Sequence, residues 1–304
     1  ASGWPRPGEA TVQTLAFAFT WNIDPVIVAL GPFQIRYYGL IFLAVFLGGY
    51  YLFRWQVRRA GGSENDATDV CVPGILGVLI GARLGHVLFY EPGRLLSDPL
   101  WVFQIWKGGL ASHGATVGLL VAIYYYARRH RQSYIECMDR FSFSAALGAT
   151  LVRVGNFFNS EIVGRVTDGT WGVRFPRHDG IADAPLRHPS QLYEVALGLF
   201  VMLVLYLVDR AAGRERRPRG LLIATFFVTY FSGRFFVEFF KEYQVLSSDS
   251  PLTMGQILSL PMVAGGLVGL VIALRRRAPV KWTATPEPAA PAPAPRKSKK
   301  SRKR

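Results

Sequence analysis

The chain has 304 residues, half of them hydrophobic and 18% charged, against roughly 25% charged in an ordinary soluble domain. Its net charge of +15 is carried in short clusters between apolar runs, a topogenic pattern and not a nucleic-acid-binding face. Two cysteines, Cys71 and Cys137, with no Cys-x-x-Cys and no Cys/His cluster, exclude a disulfide scaffold and give no metal site.

Residues 1–36 mix Trp4, Phe17, Phe19 and Trp21 with Pro and Gly. They read as an interfacial arm and not as a span. Their first residues lack the basic region, apolar core and small-residue cleavage site of a signal peptide. Seven apolar runs follow, at 38–53, 70–90, 114–127, 141–158, 192–208, 221–240 and 254–274. Between the second and third, 91–112 is rich in Trp and Gly and reads as re-entrant or interfacial. Between the fourth and fifth, 159–190 is polar and turn-rich and reads as a small head domain. Residues 276–304 are Pro/Ala-rich and then basic, a disordered tail by composition. The expected fold is an all-α polytopic membrane protein, its seven-helix domain spanning 37–275.

The polypeptide segments after runs one, three, five and seven hold 23 of the 35 Lys and Arg; Arg140 is counted with the third. Seven crossings put all four on one side, which the positive-inside rule makes the cytoplasm. The amino end and the head then face the periplasm. Trp21, Trp101, Trp106 and Trp171 fall near the outer interface, as an aromatic belt would.

Polar residues at the outer ends of the runs are Tyr38, Arg83, His86, His113, Arg153, Asn156, Asn159, Glu161, Arg165, His188, Gln191, Tyr193, Glu194, Arg234, Glu238 and Lys241. A charge inside an apolar span costs roughly 2.5–3.5 kcal/mol on insertion scales and marks function. Arg234 and Glu238, four apart, can pair. Arg153 and Arg234, from different helices, suit a phosphate clamp, because guanidinium is weakly hydrated and bidentate to phosphate. An apolar cavity with a cationic patch fits an anionic phospholipid.

The run Arg153-x-Gly-Asn156-Phe-x-Asn159-x-Glu161-x-x-Gly164-Arg165 resembles the signature of the bacterial prolipoprotein diacylglyceryl transferase family. The stretches Gly31–Gly39, Gly81–Gly85, Gly108–Gly114, His188–Glu194, Arg234–Lys241 and Met254–Ser259 extend the resemblance over most of residues 30–275. Val152 and Ala115 stand where the family usually has Gly. The resemblance implies an inner-membrane enzyme that moves diacylglycerol from phosphatidylglycerol to the lipobox cysteine of a prolipoprotein and releases glycerol phosphate. It implies no metal or organic cofactor and no nucleic-acid partner. Matching residues make His113, Arg153 and Arg234 catalytic candidates. Tyr38, Arg83, Asn156, Asn159, Glu161, Gly164, Arg165, Glu238 and Lys241 become substrate-binding candidates.

The attacking species is a thiolate, whose parent thiol has a pKa near ~8.5. His113 is either the group that takes that proton or a headgroup ligand. Two other functions compete. A lipid carrier would expose its polar cavity to both leaflets, whereas these charges cluster toward the outer half. A phosphoglycerol transferase would attack phosphorus with a metal-binding carboxylate or a Ser/Thr nucleophile, and neither is evident.

Overall fold

The computed structural model describes residues 17–31, 33–105, 108–243, 250–279 and 282. Trp4, Trp106 and the basic tail lie outside them.

Helix dominates. The helices are α1 (Tyr37–Arg59), α2 (Glu64–Thr68), α3 (Cys71–Tyr90), α4 (Pro92–Ser97), α5 (Ser112–Arg129), α6 (Tyr134–Phe158), α7 (Pro176–Asp179), α8 (Ser190–Ala211), α9 (Leu221–Val237) and α10 (Met254–Arg276). Stretches Tyr37–Arg59, Glu64–Tyr90, Ser190–Ala211, Leu221–Phe240 and Met254–Arg276 are long and apolar enough to cross a membrane. Their outer faces invert the soluble pattern: Leu47, Leu199, Leu203 and Val268 are each at least half exposed. Such surfaces suit a hydrocarbon solvent.

The all-α expectation needs correction at the amino end and in the head. Strands β1 (Ala18–Thr20), β4 (Gly172–Arg174) and β5 (Leu186–Arg187) form one sheet, with β1 parallel to β4. Strands β2 (Val26–Leu30) and β3 (Phe33–Arg36) form a hairpin. The β-branched run Val26-Ile27-Val28 favours extended backbone, and Gly31, at φ +60°, sits at the turn. The arm therefore docks on the head, and Trp21 packs against Phe157 with ring centroids 4.4 Å apart.

Arg140, expected in the loop after the third run, lies inside α6 and is fully buried. The helix begins seven residues earlier than the apolar run because the ionic groups of its first turns are neutralised by neighbours. Arg140 pairs with Glu136, one turn before it, and with Glu215, both at 2.7 Å. Asp139 points at α9, which has no side-chain cap of its own. Its carboxylate accepts the Gly220 N–H at 2.6 Å and the Ile223 N–H at 2.9 Å, so one helix caps another. A carboxylate there also complements the positive end of the α9 dipole.

Two pairings set the helix spacing. Helices α1 and α6 pack through Phe53, Val57, Tyr126 and Cys137 with help from α5. Helices α3 and α5 approach backbone to backbone along Gly77, Gly81, Gly114 and Gly118; a Cβ on Gly118 would lie 1.9 Å from the Gly77 carbonyl oxygen. Small residues of this kind let membrane helices gain close van der Waals contact.

Gly118→Val should therefore lower the thermal midpoint of the detergent-solubilised protein, by an overpacking cost of about 1–3 kcal/mol. Gly74→Val, with open space around it, should have little effect; equal shifts for the two would remove the close-packing account.

Candidate active site

The site is built where α8 starts. Proline lacks an N–H and suits a helix entrance, and Pro189 precedes the first residue of α8. Ser190 Oγ donates to the Ile162 carbonyl at 3.0 Å and Gln191 Nε2 to the Glu161 carbonyl at 2.9 Å. Both bonds pin the first turn of α8 to the chain leaving α6. Glu194, one turn on, is thereby aimed between α6 and α9 and is 2% exposed.

Glu194 is the centre of an ion cluster. Arg153 Nε of α6 lies 2.6 Å from its Oε2, and Arg234 Nη1 of α9 lies 3.1 Å from its Oε1. Lys241 Nζ is 3.7 Å away. Glu238 forms the second anionic point, 3.2 Å from Arg234 Nη2 and 2.8 Å from Lys241 Nζ. The Thr253 hydroxyl, at the N-cap of α10, donates to Glu238 Oε2 at 3.0 Å. The expected Arg234–Glu238–Lys241 stripe thus faces the bundle interior.

A polar chain extends from Arg153 toward the head. Arg153 Nη1 donates to Asn156 Oδ1 at 3.1 Å, and Asn156 Nδ2 donates to Glu161 Oε1 at 2.7 Å. Asn159 reaches the same Glu161 oxygen at 3.5 Å. The Tyr38 side chain of α1 lies beside Asn156. Its ring lies over Gly155, where an added Cβ would come within 2.8 Å of it. Tyr38, Arg153, Asn156, Asn159, Glu161, Arg234, Glu238 and Lys241 are therefore brought together.

Gly164 and Arg165 border this group. Gly164 lies flush against His188 and Phe240: a Cβ there would meet the His188 carbonyl oxygen at 2.3 Å. Arg165 Nε donates to the Lys241 carbonyl at 2.9 Å. Both join the head to the end of α9.

Two candidates sit elsewhere. Arg83 is 3% exposed, and its guanidinium donates to the carbonyls of Trp101, Val102, Gly108 and Gly109. It ties Trp101 and Val102 to Gly108 and Gly109 between α4 and α5. His113 is exposed in the first turn of α5, with its ring against Phe89 and Tyr90 of α3.

Glu194 appeared in sequence only as one polar residue among many, without a role. Its signal was available: a carboxylate four positions into an apolar helix needs a cation, and two arginines had none assigned from another helix. Tyr230, which lies near Arg153, gave no such signal among the aromatics of α9.

Three cations (Arg153, Arg234, Lys241) meet two carboxylates (Glu194, Glu238) in this cluster. The side chains of Arg153 and Arg234 stay 15% and 22% exposed. The arrangement suits an anion whose charge is delivered between α6 and α9.

The profile of the Prolipoprotein diacylglyceryl transferase family matches residues 25–272. The chain is similar to phosphatidylglycerol–prolipoprotein diacylglyceryl transferases from several bacteria. It is 40% identical to that of Pseudoalteromonas atlantica over 263 residues, covering 84% of this chain and 91% of the relative. It is 40% identical to that of Geobacter sulfurreducens, covering 84% and 97%. With that of Chloroherpeton thalassium the identity is 42%, covering 84% and 94%.

Two outcomes follow from the geometry. Glu194→Gln keeps the shape but removes the shared counter-charge of two arginines. It should destabilise the folded protein by about 3–5 kcal/mol, the cost of breaking a buried pair, read as a lower thermal midpoint; an unchanged midpoint would exclude Glu194 as the neutralising centre. Burial lowers the His188 pKa, against the opposing pull of Asp168. The unfolded chain then binds the proton first as pH falls through about 6.5, so this contribution is present above that pH and lost below it. The midpoint should drop between pH 8 and pH 5, and less so in His188→Gln.

Proposed function

The chain belongs to the prolipoprotein diacylglyceryl transferase family, and from that membership and the Arg153–Glu194–Arg234 geometry we infer how its residues carry the reaction. It is a transferase of the bacterial inner membrane that moves the diacylglyceryl group of phosphatidylglycerol onto prolipoproteins, the first step of lipoprotein maturation. The observation that carries the assignment of roles is the convergence of two arginines from separate helices on one buried carboxylate.

In the proposed arrangement seven helices cross the bilayer. Besides the five apolar stretches, α5 and α6 have 18 and 25 residues, about 27 and 37 Å of helix. The carboxyl-terminal ends of α1, α5 and α10 carry Arg58, Arg59, Arg128, Arg129, Arg275 and Arg276. Those ends face the cytoplasm, and the head and the Glu194 cluster face the periplasm.

The lipobox cysteine sulfur attacks the glycerol carbon that bears the phosphate oxygen. A carbon–sulfur bond forms, the carbon–oxygen bond breaks with its electron pair going to oxygen, and glycerol phosphate leaves. Negative charge grows on that oxygen, so Arg153 and Arg234 near the phosphate stabilise the transition state more than the ground state. Glu194 holds both guanidiniums before lipid arrives and limits the reorganisation needed during reaction. Asn156, Asn159, Glu161 and Tyr38 position the headgroup beside Arg153. The thiol proton leaves before attack, and its candidate acceptor is His113, exposed at the start of α5 and apart from the Arg153–Arg234 pair; among the described residues no hydrogen bond occupies its ring nitrogens.

Purified protein, phosphatidylglycerol and a lipobox peptide should yield a peptide heavier by one diacylglyceryl group. The adduct should vanish with a Cys→Ser peptide and fall at least about a hundredfold with Arg153→Ala, the scale of losing one preorganised donor. Adduct formation undiminished in Arg153→Ala would remove that arginine from the chemistry.

A further inference from the structure

A second cationic site lies at the other end of the molecule. The last three turns of α1 carry Tyr51, Arg54, Trp55, Arg58 and Arg59, which line an open groove of about 520 Å³. Its members differ in how far the protein satisfies them. Arg59 is saturated: it bonds both Asp209 oxygens at 2.6 and 2.9 Å and Glu215 at 2.7 Å, and it lies 4.9 Å over the Trp55 ring. Arg54 spends its Nε on Glu64. Arg58 is exposed, and among the described residues its one hydrogen bond is to the Gly62 carbonyl at 3.3 Å. Among the described residues, Arg58 Nε and Nη2 and both terminal nitrogens of Arg54 therefore have no acceptor. Arg54 and Arg58 are one turn apart, so their open donors face the same side.

The aromatic part has the matching depth. Tyr51 is 60% exposed and Trp55 40%, and Trp55 is held edge-on against Phe143. Tyr51 lies about 10 Å along the helix from Arg58. Rings at the acyl boundary and guanidiniums in the headgroup layer are the distribution expected at a membrane interface. The groove is also distant from the Glu194 cluster. Tyr38, which touches Asn156, opens the same helix twenty residues before Arg58, about 30 Å at helical rise. That equals a hydrocarbon core of about 30 Å, so the two sites meet opposite leaflets.

We propose that the Tyr51–Arg54–Trp55–Arg58 groove binds the phosphate of an anionic phospholipid headgroup in the leaflet opposite the transfer site. The phosphate oxygens take the open donors of Arg58 and Arg54 as charge-assisted bonds, and the first acyl segments lie along Trp55 and Tyr51. The volume fits a headgroup and not a whole lipid. A soluble phosphoester offers the same oxyanion, but it has no acyl chain for the exposed rings to cover.

Native mass spectrometry of the full chain, released from mild detergent and titrated with phosphatidylglycerol, tests this. The wild-type protein should retain two lipids. Arg58→Glu and the milder Arg58→Gln should bind one of them about tenfold more weakly, the scale of one lost charge-assisted contact, while Arg153→Ala keeps it. Arg128→Gln, at the end of α5, should match wild type. Equal lipid counts in wild type and both Arg58 variants would overturn the proposal. So would equal retention of phosphatidylcholine, which would mark a nonspecific annular lipid. Displacement by millimolar glycerol phosphate would assign the groove to a soluble phosphoester instead.

Discussion

A charge buried among apolar helices needs a partner, and this bundle is organised by that requirement. Helix α6 meets it at both ends. Near its start, Glu136, Asp139 and Arg140 connect to Glu215, to Arg217 and to the first turn of α9. Near its end, Arg153 connects to Glu194 of α8 and, through it, to Arg234 of α9. Buried ion pairs are a weak source of net stability, because desolvation offsets most of the attraction. Their effect is on register: sliding α6 by one turn would strand charges at both ends together. The apolar middle, with Phe143, Val201, Leu205 and Leu222, supplies packing but would tolerate such a slip far better.

Most of the helical layout was legible because the bilayer imposes length and composition at once. Apolar runs of about twenty residues and arginines at alternate ends leave few topologies. What was not legible follows from the same physics. The start of α6 reads as a polar loop because Glu136, Asp139 and Arg140 look like solvated residues. Their partners, Glu215 and the Gly220 N–H, are about eighty positions away in sequence, and no local pattern reports such a pairing. The strands were missed for a related reason. β1 has three residues, and its partner β4 lies in the head, so neither segment alone shows a strand period long enough to recognise.

The candidate site was partly legible. Arg153, Asn156, Glu161 and Arg234 announce themselves by polarity inside apolar runs, and they converge in space. Arg83 announces itself in the same way and yet serves loop carbonyls. Intramembrane polarity thus identifies residues that need a partner without saying whether that partner is protein or ligand. Accessibility separates the cases: Arg83 is closed over by Trp101 and four carbonyls, while Arg153 and Arg234 retain exposed edges. Glu194 is the converse, a buried carboxylate already paired with both cations, so its removal would alter the two at once.

This shared carboxylate has a consequence for how an anion is handled. In the mechanism proposed above, two half-buried arginines with no counter-charge would bind a phosphate so tightly that a phosphate-bearing product would leave slowly. With Glu194 and Glu238 in place, and Glu161 linked to Arg153 through Asn156, the cations are already countered, and an incoming phosphodiester would not meet two bare guanidiniums. As the glycerol–oxygen bond breaks, the leaving phosphate gains charge, and the guanidiniums can shift hydrogen bonding from Glu194 toward it. In that mechanism the cluster would be more attractive to the transition state than to the resting lipid, which is the differential on which catalysis depends. In the proposed mechanism the same carboxylate would take the guanidiniums back once glycerol phosphate departs, restoring the resting ion pairs.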